Sequence, residues 1–245
     1  MGSSGLQVSR LGLGTLTWGR DVPAPQAKGL LRRFVEAGGT LVDTAAAYGN
    51  GEAERIIGRL IHTDLARDDV VIATKAGFGV RDGKRVVDTS RTALLDDLAG
   101  SLRRLHTDHV DLWQLHAWGG APLEESLAAI DQAVNAGMVR YSGVSNFVGW
   151  QLTAVAERAA ATMPELRDFN WLDAQGVVLE PAFQFWQGEG GGLGAALPGD
   201  LERPLFRREG LWRRGVAVVA HVEVFGGCHR VIEQMRGCFR HQRAV

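Results

Sequence analysis

The sequence predicts an α/β fold in which a parallel sheet is covered by helices. Two observations carry this expectation. Between residues 10 and 161, five strand-like segments alternate strictly with five helix-like ones, and such alternation places crossover helices between parallel strands. In addition, the first strand runs into "GLGTLTWG". An open dinucleotide-binding sheet carries Gly-x-Gly-x-x-Gly at that place, and the spacing here fails. An open doubly wound sheet and a closed eightfold barrel are the two architectures with this alternation, and both put chemistry at the carboxyl ends of the strands.

The elements follow in order. "RLGLGTL" (10–16) is a short apolar strand punctuated by glycine, and "APQAKGLLRRFVEAGG" (24–39) has helical spacing and a Gly pair as its stop. "TLVDTA" (40–45) is a buried strand, followed by a helix over "GEAERIIGRLIH" (51–62). "VVIATKAG" (70–77) is rich in β-branched residues and gives the third strand. "DTSRTALLDDLAGSLRRLHT" (88–107) is a long amphipathic helix with Thr89 or Ser90 as N-cap. "HVDLWQLHA" (109–117) and "MVRYSGVSN" (138–146) are the fourth and fifth strands. They are separated by a helix over 122–137, with Pro122 near its first turn and Gly137 at its end, and followed by a helix over 149–161.

Composition narrows the class of function. The chain has 245 residues, is 45% hydrophobic and carries a net charge of −1 without a long run of either sign. That suits one large domain or two small ones and argues against a nucleic-acid stripe or an anionic-membrane surface. The only cysteines, Cys228 and Cys238, are too few for a disulfide scaffold. "MGSSGLQVSRLGLG" has no apolar signal core, and no apolar run is long enough to span a bilayer. A cytoplasmic protein is expected. The "CH…CFRH" group of Cys228, His229, Cys238 and His241 does not match zinc-finger spacing, so no metal is expected. "GEGGGLG" (188–194) reads as a loop.

Chemistry gathers at the strand ends. Asp43 ends the second strand, and Tyr48, one of only two tyrosines, lies in the loop after it. Lys75 ends the third strand, His116 the fourth, and Ser145 with Asn146 the fifth. Singly, these read as a cap, a surface lysine, a structural histidine and turn residues. Together, in a parallel barrel, they share one mouth. A lysine ammonium within about 4–6 Å of a phenol favours the phenolate, and an aspartate beside the lysine keeps the amine charged. A histidine at the mouth can orient a carbonyl. The set suits protonation of an oxygen that is becoming an alkoxide. Of the 27 basic residues only Lys28, Lys75 and Lys84 are lysine. A lysine kept in a buried strand of an arginine-rich chain therefore points to a need for a compact charge.

The motifs "GLGTLTWG", "VDTAAAYGNGEAE", "VIATKAG", "DLWQLHAW" and "VRYSGVSNF", in this order, resemble the aldo-keto reductase superfamily over residues 5–160. The resemblance implies a (β/α)8 TIM-barrel fold that binds NADPH without a Rossmann fingerprint and reduces a small aldehyde or ketone. It implies a catalytic tetrad of Asp43, Tyr48, Lys75 and His116, with Tyr48 as acid, Lys75 and Asp43 as its tuners and His116 as carbonyl orienter. Thr15, Asp43, Ser145 and Asn146 would meet the cofactor, and Trp18 and Trp118 the substrate. A second reading is a catalytically impaired or regulatory nucleotide-binding protein on the same scaffold, similar to channel-associated members. "GSSGLQVSRLGLGT" continues the family pattern, so the N-terminus reads as native.

The likeness fades after residue 161. Residues 1–160 are expected to hold the first five βα units, and 161–245 a divergent part. "DAQGVVLEP", with Gln175, and "RRGVAVVAHVEVFGG" are degenerate candidates for strands six and seven. Two explanations stand for this part: a shifted reading of an ordinary gene, or a variant with a different cofactor grip.

Overall fold

The computed structural model describes residues 4–9 and 11–162. Its elements are β1 (Gly12–Gly14), α1 (Ala24–Glu36), β2 (Leu41–Asp43), α2 (Glu52–Thr63), β3 (Val71–Ala76), β4 (Phe78–Arg81), β5 (Lys84–Val87), α3 (Arg91–Leu105), β6 (Val110–Leu115), α4 (Leu123–Asn135), β7 (Val139–Val144) and α5 (Gly149–Thr162). Strands β1, β2, β3, β6 and β7 pair in that order, and every pairing is parallel. Each strand of the sheet thus lies beside the next, and a helix follows it. This is the winding of the first five units of a (β/α)8 barrel. The proposed strands six and seven, with Gln175, lie outside the described residues.

The sheet is buried on both faces, and its two faces differ. Register pairs Asp43 with Ala73, Ala73 with Leu112, and Leu112 with Tyr141. Paired residues in neighbouring strands point the same way. Leu41, Ala73 and Leu112 accordingly form one small apolar cluster, packed by Val8, Val71 and Tyr141. The alternate residues Val42, Ile72, Trp113, Leu115 and Val144 join the larger core shared with Leu31 and Phe34 of α1, Ile57 of α2, Leu98 of α3 and Ile130 of α4. One residue pair further along the first face, apolar gives way to polar: Lys75 pairs with Gln114, and Gln114 with Gly143. The inward face is therefore greasy at its amino end and ionisable at its carboxyl end.

Local chemistry sets the elements. Helix α1 starts after Pro23, buries Ala27, Leu30, Leu31 and Phe34, and stops where Gly38 takes a φ of 90°. Gly39 lies against Phe34, where a Cβ would sit 2.4 Å from the ring. Before α2, Gly49, Asn50 and Gly51 all have positive φ, of 56°, 54° and 85°. That run turns the chain sharply after Tyr48, and glycine and asparagine are the residues that tolerate it. Ser90 stands at the N-cap of α3 as expected, but its side chain makes no capping bond. The terminus is served instead by Asp88, which accepts from the Ser90 N–H at 3.0 Å, and by Glu125 of α4, which accepts from the Arg91 N–H at 2.9 Å.

Helix α2 is tied inward by a buried ion pair. Glu54 is fully buried; it accepts from the Thr74 hydroxyl at 2.6 Å and from Arg104 Nε at 2.6 Å. The charge is paired and its oxygens are hydrogen-bonded, which is the condition for burying it at all. It fixes α2 against β3 and α3, so the turn carrying Tyr48 is set relative to the strand carrying Lys75.

The hairpin of β4 and β5 was not expected. Its turn is Asp82-Gly83, with φ of 53° and 72°, between the paired Arg81 and Lys84. A two-residue Asp-Gly loop with both φ positive matches the twist of antiparallel strands. The Asp88 N–H closes the hairpin's base on the Gly77 carbonyl at 3.0 Å, and α3 begins at Arg91, as its Ser90 N-cap requires.

Candidate active site

The loops beyond the strands are held by the same ladder that holds the strands. Thr15 N–H donates to Asp43 O, Thr44 to Ala73 O, Ala46 to Lys75 O, His116 to Ala76 O and Ser145 to Leu115 O, all between 2.8 and 3.1 Å. Side-chain direction at the carboxyl ends is thereby inherited from the pleat, and Asp43, Lys75, His116 and Ser145 continue the inward face.

Four residues converge. Lys75 Nζ donates to Asp43 Oδ1 at 2.8 Å and Oδ2 at 2.7 Å, to Thr44 O at 2.9 Å and to the Tyr48 hydroxyl oxygen at 3.3 Å. Asp43 and Lys75 are each 5% exposed and Tyr48 is 8% exposed. Because the ammonium donates to the phenol oxygen, the phenol's own hydrogen points away from Lys75. The Tyr48 ring also lies under the ammonium, 5.0 Å from it to the centroid. The His116 ring meets Tyr48 edge-on at 5.7 Å.

Two of these groups have shifted proton affinities. Burial alone pulls the Lys75 ammonium down, but the Asp43 charge, then Tyr48 and the hydrogen bonds to both, outweigh it and raise the pKa. The amine is a fixed cation. His116 goes the other way, from its ordinary 6.5 to about 3, through burial first and the Lys75 charge second. Its imidazole is neutral at physiological pH. Its Nδ1 is buried and has no hydrogen-bond partner among the described residues.

The histidine shift has a consequence for stability. Between pH 6.5 and about 3 the unfolded chain binds a proton at His116 that the folded chain refuses. The unfolded state then binds more protons, so stability is complete above pH 6.5 and falls as the pH drops. From pH 6.5 to 5 this group should cost about 2 kcal/mol. Urea unfolding of wild type and His116→Leu at pH 7 and pH 5 measures it. The variant is expected to lose less on acidification, and equal losses would remove the assignment.

The other expected site residues are placed as follows. Asn146, at a φ of 58°, donates from Nδ2 to the His116 carbonyl at 2.9 Å and to Ser145 Oγ at 3.1 Å, which joins the ends of β6 and β7. The Thr15 hydroxyl is engaged with the Asp43 carbonyl at 3.0 Å, so it fastens β1 to β2. Trp18 is 2% exposed and belongs to the same core cluster as Tyr48. Trp118 meets Phe147 edge-on at 5.3 Å and Trp150 at 5.2 Å. Phe78 was missed: its ring lies 5.1 Å from that of His116. The signal for it was "RDGK" between two short apolar runs, a hairpin pattern. The Thr44 carbonyl that receives Lys75 carries no sequence signal, since any residue has one.

Among known proteins, the model of the family described as the aldo/keto reductase family matches residues 10–171. The chain belongs to the aldo/keto reductase family. A family member from Bacillus subtilis (strain 168), the aldo-keto reductase YhdN, is 35% identical over 151 residues, covering 59% of this chain and 45% of the relative. A probable voltage-gated potassium channel subunit beta from Oryza sativa subsp. japonica is 37% identical over 157 residues, covering 62% of this chain and 47% of the relative. This family member thus spans about half the length of the curated relatives it matches. Among solved structures, the holo form of aldo-keto reductase AKR11C1 from Bacillus halodurans aligns with a TM-score of 0.58 at 31% identity, over 64% of this chain and 52% of that one. An aldo-keto reductase from Klebsiella pneumoniae in complex with NADPH aligns with a TM-score of 0.52 at 32% identity, over 60% of this chain and 49% of that one. The fold is of the (β/α)8-barrel type. Among the described residues no helix is long and apolar enough to cross a membrane, and no cluster of metal-ligating side chains occurs. The Cys228, His229, Cys238 and His241 group lies outside them.

Proposed function

We propose that this chain is a cytoplasmic NADPH-dependent reductase that converts a small aldehyde or ketone to an alcohol, with Tyr48 as the proton donor. The observation that carries the reading is the buried ammonium of Lys75, shared between the Asp43 carboxylate and the Tyr48 oxygen. When Tyr48 releases its proton, the negative charge forms 3.3 Å from a cation that is held in place and buried. A preorganised charge in a dry site needs no reorganisation as the proton moves. Asp43 and the Thr44 carbonyl hold the ammonium in place and keep it charged. His116, neutral and with its ring edge-on to Tyr48 at 5.7 Å, supplies a hydrogen-bonding group to orient the carbonyl.

NADPH fits the donor set at the strand ends. Ser145 and Asn146 would hold the amide of its nicotinamide, and Thr15 and Asp43 would form the floor beside it. The cofactor supplies the hydride; the chain supplies the proton, the orientation and the exclusion of water. The neighbour from Klebsiella pneumoniae, solved in complex with NADPH, supports that choice. Trp18 and Trp118 are assigned to the substrate side of the loops. Residues 1–160 are read as the catalytic half of the barrel and 161–245 as a divergent remainder.

A second reading has its own support in the likeness to the potassium channel subunit beta. On that reading the chain holds the nucleotide and turns over slowly, as a regulatory protein. One experiment separates them. Purified protein is titrated with NADPH while its fluorescence is followed, and then a panel of aldehydes and ketones is added. Oxidation of NADPH that depends on the carbonyl is the expected result. Quenching without oxidation favours the regulatory reading, and neither response removes both.

A further inference from the structure

The β4–β5 hairpin leaves the end of β3 two residues after Lys75. Gly77, at a φ of 83°, makes that departure possible. The hairpin is not loosely attached. The Gly77 N–H donates to Asp97 of α3 at 2.9 Å, and its carbonyl accepts from Asp88 at 3.0 Å. Its first residue, Phe78, lies against the His116 ring at 5.1 Å with the planes inclined at 51°.

Register decides what else shares that face. Phe78 pairs with Val87, and Val80 with Arg85. Opposed residues of an antiparallel pair lie on one face, and residues two apart on one strand share it. Phe78, Val87, Val80 and Arg85 therefore make one surface that begins at His116 and runs outward. Val80 is 60% exposed and Val87 37% exposed, two of the four large hydrophobic residues exposed among the described residues. Valine suits a strand, but a solvated face gains nothing from apolar side chains. The opposite face carries Gly79 paired with Val86, and the charged Lys84 next to the turn. Phe78, Val80 and Val87, three of the hairpin's four large apolar residues, are on the side that is continuous with the site.

Resting on the reductase reading, we infer that this hairpin is a wall of the substrate site and selects carbonyl compounds bearing an unbranched apolar arm. The carbonyl oxygen is at His116 and Tyr48, and the arm lies along Phe78, Val87 and Val80. From Phe78 to Val80 the strand advances about 6.7 Å, the length of about six carbons. Arg85 closes the outer end with a charge. A chain of that length buries its methylenes on one side only.

The test reads binding rather than turnover and uses the full chain. Wild-type protein with carbon-13-labelled valine methyl groups is titrated with propan-1-ol and with hexan-1-ol, alcohols of the product class. The Val80 and Val87 methyl signals are expected to shift with hexan-1-ol, and its affinity to exceed that of propan-1-ol about tenfold, from three half-buried methylenes. The exposed substitutions Val80→Asp and Val87→Asp together should reduce that ratio to about twofold or less. Equal affinities for the two alcohols overturn the inference, as does an unchanged ratio in the variant. Valine shifts that follow protein concentration instead of alcohol also overturn it, since they make the face a contact between copies. Shifts with hexan-1-ol but no carbonyl-dependent oxidation of NADPH leave the wall standing and defeat the reductase reading.

Discussion

Replacing Tyr48 by phenylalanine is expected to lower kcat for carbonyl reduction by about 10²- to 10⁴-fold, the contribution of a positioned general acid. The substitution removes one oxygen and nothing else. The ring is 8% exposed and part of the main core, so its packing is retained. The lost contact with Lys75, at 3.3 Å, is the long one of the four that the ammonium makes. Stability should therefore change by no more than about 1 kcal/mol. NADPH affinity should hold, because no cofactor contact is assigned to the phenol. Steady-state rates, a fluorescence titration and a urea melt on the same preparation read the three quantities. A Tyr48→Phe enzyme with the wild-type rate would end the proposed role.

Lys75→Met is expected to act on stability as well as on rate. Lys75 and Asp43 are each 5% exposed, and both carboxylate oxygens take a hydrogen bond from the ammonium. Removing the amine strands a carboxylate in a dry interior, at a cost of about 3–5 kcal/mol. The double replacement Asp43→Leu with Lys75→Met removes both charges, and it should recover most of that loss without recovering activity. The pattern separates two jobs of one residue. If the single and double variants unfold at the same urea concentration, the pair is not the buried ion pair described here. If the single variant keeps its reductase rate, the cation has no part in the proton transfer.

These expectations differ in how far they could be drawn from residues alone. "TLVDTA", "VVIATKAG" and "HVDLWQLHA" are apolar enough, and placed regularly enough between helical patterns, to make a parallel sheet legible. The boundaries moved by one to three residues, chiefly where a glycine turn or a side chain from another element ends a segment. The capping of α3 is an instance. Ser90 has the right chemistry, but Glu125 of α4, distant in sequence, supplies the bond. The hairpin at 78–87 is legible in principle through Asp82-Gly83, but its two short runs are weaker than the helical pattern that follows.

The tetrad was legible as a set for a specific reason. Asp43, Lys75 and His116 each fall at the end of a strand, and parallel strands bring their ends to one side. Alternation then decides which face each occupies, and it can be counted along a strand. What could not be counted is the relative register of neighbouring strands, because that is set by helix packing and crossover geometry.

The sequence by itself determined the alternating fold, the residue types at the strand ends and the need for one compact cation among arginines. The tertiary structure alone decided that Lys75 touches both Asp43 and Tyr48, that the Thr44 carbonyl completes its hydrogen bonds, and that Phe78 reaches His116. The reason is that side-chain contacts across a sheet depend on register to within a single residue. Register is a property of the packed layers, with Glu54 locking α2 to β3 and α3, and not of any one segment.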